Sequence, residues 1–512
     1  LPEQGSIRRG RYVLVSAITP TPLGEGKTLT AIGLSMALGR LGRRTAVTIR
    51  QSSLGPSFGA KGGGAGGGAA RIEPFEECLL GLGGDAYAVE SANNLLAAFI
   101  DDALLRRAAP LDPFSVTWRR VVDVDDRALR HVVVGLGGRL HGVPRETGFD
   151  ITAASEVMSI LALSRDLRDL RRRLGAIVVG FDPEGRPVAA EGLRCAGAMA
   201  VLLREALQPN LMQTSEGTPA LVHAGPFGNI SHGSSSVIAD LLVLPRVDYL
   251  VTEAGFGAEM GAEKFFHIKC AASGLVPDAA VLVATVAGLK SHSGRPVPAE
   301  RRQESVADVE AGSVNLTAQI RNLRLFGVPV VVAINRFPTD TEAELQVVQT
   351  QARAAGAAAV AEHRAFERGG EGCLALADAV EDACRLGTAF HPLYSPEDSP
   401  RKKLEMLATR LYGAAAVSFS AEAERDLARY VSAGYGSLPL CVAKTHLSLS
   451  HDPALKGAPS GYTFPVNGMR LAAGAGYLYA LAGDIVTMPG LPSHPRAVGI
   501  DLDEAGEIVG LT

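Results

Sequence analysis

The stretch from residue 12 to residue 50 constrains the fold more than any other. The apolar run Tyr12-Val13-Leu14-Val15-Ser16-Ala17-Ile18 reads as a buried strand. A glycine-bearing turn follows it, and the periodic apolar residues Leu29, Ile32, Leu34, Met36 and Leu38 predict a helix over 27–41 that closes near Gly42. Residues 45–50 read as a second strand. Two strands joined through a helix must run parallel, and a parallel sheet has to be covered on both faces. The turn itself, Thr19-Pro20-Thr21-Pro22-Leu23-Gly24-Glu25-Gly26-Lys27-Thr28, carries a second constraint. In this strand–turn–helix context, backbone N–H groups converge on a phosphate and the helix start adds positive partial charge. Lys27 is placed to neutralise terminal phosphates, and the Thr28 hydroxyl to ligate magnesium. Thr21, Pro22, Leu23, Gly24, Glu25 and Gly26 complete the expected nucleotide loop. Thr21 occupies the position where the usual GxxxxGK[ST] pattern has glycine.

Alternation of strand and helix continues, which predicts an α/β fold built on a large parallel-sheet nucleotide-binding domain. Candidate strands are 12–18, 45–50, 131–135, 176–181, 219–223, 248–252, 279–285 and 328–334. Candidate helices are 91–107, 152–174, 191–207 and 308–326, with Ser155 and Glu156 among the polar caps of the long 152–174 helix, which ends at Gly175. The expected domains are residues 1–310, binding nucleotide and substrates, and two smaller α/β domains, 311–415 and 416–512. The Pro-rich stretch 391–400 reads as a surface loop between domains. Ligands in such sheets bind at the carboxyl ends of the strands, which directs attention to loops 19–26, 50–68, 223–236, 253–264 and 335–341.

Composition excludes several classes. With a net charge of −4 over 512 residues, the chain has no electrostatic footprint for nucleic acid. No apolar run is long enough for a membrane span, and the start lacks the pattern of a signal peptide, so a cytoplasmic setting is expected. The chain opens on Leu1, which fits a trimmed N-terminus. Six cysteines without a CxxC pair predict buried thiols in a reducing compartment. Lysine is scarce: nine stand against forty-one arginines. A compact ammonium is not interchangeable with a guanidinium, so Lys27, Lys61, Lys264, Lys269, Lys290 and Lys444, all beside turns, are candidates for specific roles. Lys402, Lys403 and Lys456 read as solvated surface. Lys61 lies in the glycine-dense segment 59–68, which fits either a flexible linker or a backbone lining a polyanion.

Further candidates lie at strand ends. Arg50 can clamp an oxyanion with two parallel hydrogen bonds. His223 and His232 flank a tight turn, each readable as a general base, a phosphate contact or a structural histidine; zinc is disfavoured for want of further ligands. Glu253 ends strand 248–252 as a magnesium-holding acid would. Phe256, between two glycines, is placed either to stack on a planar ligand or to pack in the core. Asn335 can read a purine edge or cap a turn.

Taken in order, TPTPLGEGKT, RQSSLGPSFGAKGGGAGGG, GDAYAVESANNLLAAFIDD, HAGPFGNISHG, VTEAGFGAEMGAEKFFHIKC, VVAINRF, GGEG, LCVAKTHLSLS and TMPGLP resemble formate–tetrahydrofolate ligase, from about residue 10 to the C-terminus. The resemblance implies that ATP phosphorylates formate to formyl phosphate, and that N10 of tetrahydrofolate then takes the formyl group. It further implies magnesium, an activating monovalent cation and a homotetramer, with no nucleic-acid or membrane partner. By the same resemblance Arg50 grips formyl phosphate, Lys27 serves the phosphate loop and Phe256 stacks on the pterin, with Phe366 in place of the usual tryptophan opposite. The chain departs from the family pattern at Gln51 (for Glu, the acid associated with the cation effect), Tyr87 (for His), Ser234, His267 (for Asp) and His446 (for Gln). Two alternatives stand beside this reading. One is a phosphate-loop ligase or kinase for another carboxylate; the other is a catalytically weak paralogue that only binds nucleotide or folate.

Overall fold

The computed structural model describes residues 10–21, 24–59, 64–81, 83–138, 140–295, 303–483 and 485–511. Lys61, Pro22 and Leu23 lie outside them. The centre is a ten-stranded sheet. From one edge its strands are Ala359–His363, Val330–Asn335, Ala279–Ala284, Arg11–Ala17, Tyr249–Glu253, Thr45–Ile49, Pro219–Val222, Asn210–Thr214, Ala70–Glu73 and Gly66–Gly67. The first seven run parallel, and the last three add antiparallel pairs.

Strand side chains alternate between two cores, as the two-residue period requires. Tyr12, Leu14, Ala280, Leu282, Val330 and Val332 face one core, which also takes Leu316, Ile320 and Leu323 from helix Val306–Arg324. Val13, Val15, Val281, Val283 and Val331 face the other, beneath Ile32, Leu34, Met36 and Leu38 of helix Lys27–Arg40. Burying both faces explains why these strands read as unbroken apolar runs.

Strands Arg11–Ala17 and Thr45–Ile49 run parallel, as expected, with Tyr249–Glu253 between them and paired with both. The structure corrects other expectations. The expected helix over 152–174 is two helices, Glu156–Leu163 and Leu167–Gly175. Ser155 caps the first through Met158 N–H at 3.0 Å, and Asp166 starts the second by accepting from Asp169 N–H at 2.8 Å. A cap-forming Asp inside an apolar-periodic run is thus a restart signal. Within the expected helix 191–207 only Ala196–Leu202 is α-helical. Strands Val132–Val134 and Val178–Phe181 form separate two-stranded pairs outside the main sheet.

Two strands of the main sheet, Val330–Asn335 and Ala359–His363, lie beyond residue 310, where the sequence placed the end of the first domain. Smaller sheets follow, one joining Leu440–Ala443, Tyr477–Leu481 and Gly468–Ala472, and one joining Ala416–Phe419 to Thr463–Val466. No helix among the described residues is long and apolar enough to cross a membrane.

Candidate active site

The carboxyl ends of the parallel strands deliver the candidate residues to one edge of the sheet. The nucleotide loop leaves strand Arg11–Ala17 and enters helix Lys27–Arg40. Gly24 and Gly26 hold φ of +73° and +79°, values that side chains other than glycine's rarely adopt. A Cβ on Gly26 would meet Asn335 Nδ2 at 2.6 Å. No side chain caps the helix, and its first turn holds no acid, so the helix start suits an anionic ligand.

Glu25 is buried and turned away from that ligand position. Its Oε1 accepts from Thr21 N–H and Oγ1–H at 3.1 and 2.9 Å, and its Oε2 accepts from Thr285. Asn335 donates from Nδ2 to the Glu25 carbonyl at 3.3 Å. Both residues brace the loop from outside. For Asn335 this is a structural contact of the kind its turn-capping alternative expects.

Thr28, Glu253 and Arg50 converge beside the helix start. Thr28 Oγ1 donates to Glu253 Oε2 at 2.7 Å, and Arg50 Nε lies 3.9 Å from Glu253 Oε1. Arg50 Nη1 also reaches the Pro226 carbonyl at 3.4 Å, while Arg50 Nε lacks a hydrogen-bond acceptor. A partly buried hydroxyl beside a buried carboxylate at a phosphate loop is a donor set that fits magnesium. Gln51 donates from Nε2 to the Cys78 carbonyl at 2.7 Å, so the amide that stands for the family's acid ties down a neighbouring segment.

The two histidines differ. His223 is wholly buried; its Nδ1 lies 2.6 Å from Ser236 Oγ and its Nε2 2.6 Å from the Ala206 carbonyl. Both nitrogens serve the fold, which leaves none for a substrate. His232 is equally buried, with Nδ1 3.3 Å from Ser231 Oγ and Nε2 without a partner. Burial holds its pKa well below the usual histidine value, reinforced by Lys269, Arg50 and Lys264, so the ring is neutral. Lys264 fixes the turn between the histidines by donating to the carbonyls of Gly228 and Asn229, each at 2.6 Å.

Phe256 adopts φ +60° and stacks on His446, with ring centres 4.8 Å apart and planes at 26°. Phe366 stands on another wall. It is 59% exposed, lies over Gly67 and Gly68, and its carbonyl accepts from Ala69 N–H at 2.9 Å. Tyr87 is exposed on helix Asp85–Arg106. His267 is buried; Nδ1 pairs with Glu263 at 2.7 Å and Nε2 accepts from Leu393 N–H at 3.0 Å, which anchors the Pro-rich stretch.

Sequence reasoning missed the residues that hold the loop from behind: His363, Asn315, Gln319 and Thr285. His363 ends a short, alanine-rich edge strand, and the other three lie on helices or at a helix cap, away from any glycine-marked turn. Only Thr285, just past the apolar strand Ala279–Ala284 and at the N-cap of helix Val286–His292, carried a readable cap signal.

The family model for formate–tetrahydrofolate ligase matches residues 3–512. A protein of that name from Roseiflexus sp. (strain RS-1) is 59% identical over 512 residues, covering 98% of this chain and 91% of the relative. Relatives of the same name from Saccharopolyspora erythraea and Chloroflexus aurantiacus are each 56% identical, covering 98% of this chain and 90% and 91% of their own lengths. With the nucleotide loop, the Thr28–Glu253–Arg50 cluster and matches of this extent, the chain belongs to the formate–tetrahydrofolate ligase family.

Proposed function

We propose that this chain joins formate to tetrahydrofolate with ATP, through formyl phosphate. The observation that carries the reading is the convergence of Thr28, Glu253 and Arg50 at an uncapped helix start. The γ-phosphate sits on that helix start, where Lys27 offsets its charge. Magnesium, held by Thr28 and Glu253, supplies charge neutralisation on the phosphates. Arg50 holds formate in line, so a formate oxygen bonds to the γ-phosphorus while the bond to ADP breaks. His232, neutral and with Nε2 unpartnered, is placed to hydrogen-bond the resulting anhydride. N10 of tetrahydrofolate then bonds to the formyl carbon, phosphate departs with the C–O electron pair, and N10 releases its proton. Phe256 supports the pterin from one wall and Phe366 from another. The enzyme works as a homotetramer, and monovalent-cation activation is weakened by the loss of the acid at Gln51.

ADP release measured with ATP, formate and magnesium, with and without tetrahydrofolate, tests the reading. Release that needs both formate and folate supports it. Release with a different acid, or folate binding without turnover, refutes it. Lys27→Ala is expected to lower kcat by at least about a thousandfold with an unchanged thermal melt.

A further inference from the structure

The nucleotide loop and the Phe256 turn are joined by a line of hydrogen bonds that ends in the His446–Phe256 ring stack, and a single buried side chain, Gln319, closes it. Gln319 projects from helix Val306–Arg324 and has no exposure. Its Nε2 donates to Thr19 Oγ1 at 3.0 Å and to Glu259 Oε2, while its Oε1 accepts from Glu259 N–H at 3.2 Å. Both amide hydrogens and the carbonyl are therefore spent. Flipping the amide would turn its carbonyl toward a carboxylate and its N–H toward another N–H, so only one orientation is satisfied.

Each end of the line is held in turn. Thr19 opens the nucleotide loop; Asn315 Nδ2 donates to its Oγ1 at 2.9 Å, and its carbonyl lies 2.8 Å from His292 Nε2. At the other end Glu259 Oε1 lies 3.4 Å from Lys444 Nζ, which also donates to the carbonyls of Thr445 and Ser448 at 3.1 and 2.6 Å. Thr445 precedes His446, the ring stacked on Phe256. Glu259, Gln319, Thr19 and Lys444 are all wholly buried. In so dry a setting no water replaces a bond that lengthens, and a displaced partner costs the full desolvation of the group left behind.

We infer that Gln319 is a positioning residue that couples nucleotide binding to the folate wall. The inference rests on the ligase reading above. Phosphate on the helix start fixes the loop and hence Thr19; Gln319 then holds Glu259 and Lys444 in the arrangement that sets His446 against Phe256. Folate meeting a pre-set wall binds more tightly than folate meeting a loose one. The arrangement suits a reaction whose first product hydrolyses if the acceptor is not in place.

Tetrahydrofolate affinity, measured by equilibrium dialysis with and without a saturating non-hydrolysable ATP analogue plus magnesium, tests this. In the wild-type protein the analogue is expected to tighten folate binding by about fivefold or more. In Gln319→Leu, and separately in Thr19→Val, that ratio should fall to within about twofold of one, and in Thr19→Val folate affinity without analogue should shift less than about threefold. Thr19→Val cuts the line at one end and leaves the Gln319–Glu259 contact in place, so the test survives a poorly folded Gln319 variant. A wild-type ratio near one, or a ratio unchanged in Thr19→Val, overturns the coupling while leaving the ligase reading intact. Wild-type protein that binds neither ligand overturns both.

Discussion

His363 ends the edge strand of the sheet with both ring nitrogens engaged. Nε2 lies 3.1 Å from Thr30 Oγ1, and Nδ1 accepts from Ala365 N–H at 3.4 Å. Thr30 spends its own proton on the Gly26 carbonyl at 2.9 Å, so the donor toward Thr30 is Nε2–H and the ring is neutral. Burial pushes its pKa down to about 4 from 6.5. Between those values the unfolded chain binds a proton that the folded chain refuses, so stability falls as pH drops from 6.5 to about 4. The full effect is roughly 3 kcal/mol, about 2 of it lost by pH 5. His363→Asn should cost about 1–3 kcal/mol at pH 7 through its lost bonds. The gap to wild type in urea unfolding should then narrow by about 2 kcal/mol at pH 5. A gap that stays constant would show that the folded protein protonates His363 normally. Other residues show where reading stops at this scale. Lys402 and Lys403 are adjacent and look alike in sequence, and both read as surface. Lys402 pairs with Asp398 in solvent, whereas Lys403 is buried and donates to the carbonyls of Pro396, Ser437 and Leu438. Helical phase decides between them, and two of the three partners of Lys403, Ser437 and Leu438, lie over thirty residues away.

At the scale of elements, the segment after Phe256 shows how closely the site is packed. Ala258–Ala262 forms a π-helical turn whose Gly261 presses on the preceding turn; a Cβ there would lie 1.8 Å from the Gly255 carbonyl. Gly255 itself faces the Arg50 guanidinium, and its N–H donates to the Gly233 carbonyl at 2.8 Å. Gly261→Ala must therefore push the turn that supports Arg50, Glu253 and His232. The expected cost is about 2–3 kcal/mol of stability from overpacking. Formyl-transfer activity should fall by at least about tenfold even where the variant is fully folded, because a small displacement misaligns reacting groups. Thermal melts and kinetics on the same preparation separate the two effects; unchanged kcat would show that the turn relaxes without moving Arg50. The π-helical register was not legible, because the apolar spacing of 258–270 fits an α-helix as well. The loops around it were, because glycine, lysine and aromatic residues mark them.

For the whole molecule, the strands of the central sheet were readable because two buried faces demand continuous apolar runs, but their order was not. Nothing local in Tyr249–Glu253 says that it inserts between Arg11–Ala17 and Thr45–Ile49; that follows from how the helices pack. The same holds for domain limits. The core beneath helix Val306–Arg324 also takes in Leu411, Tyr412, Leu440, Val442, Phe464, Val466, Leu478 and Ala480, so residues beyond 415 close the core of what precedes them. The polar links repeat the pattern: Lys444 pairs with buried Glu259, and Lys403 needs the carbonyls of Ser437 and Leu438. Ending the chain at residue 415 would uncover Tyr412, whose ring packs on Phe464, along with the neighbouring Leu411, and would take from buried Glu259 its Lys444 partner. Losing burial of several large side chains at about 1.5–3 kcal/mol each is comparable with the net stability of an ordinary domain. A fragment of residues 1–415 is therefore expected to be insoluble, or to lack a cooperative thermal transition. A soluble fragment melting cooperatively near the full-length temperature would instead show that the C-terminal sheets dock on a core already complete without them.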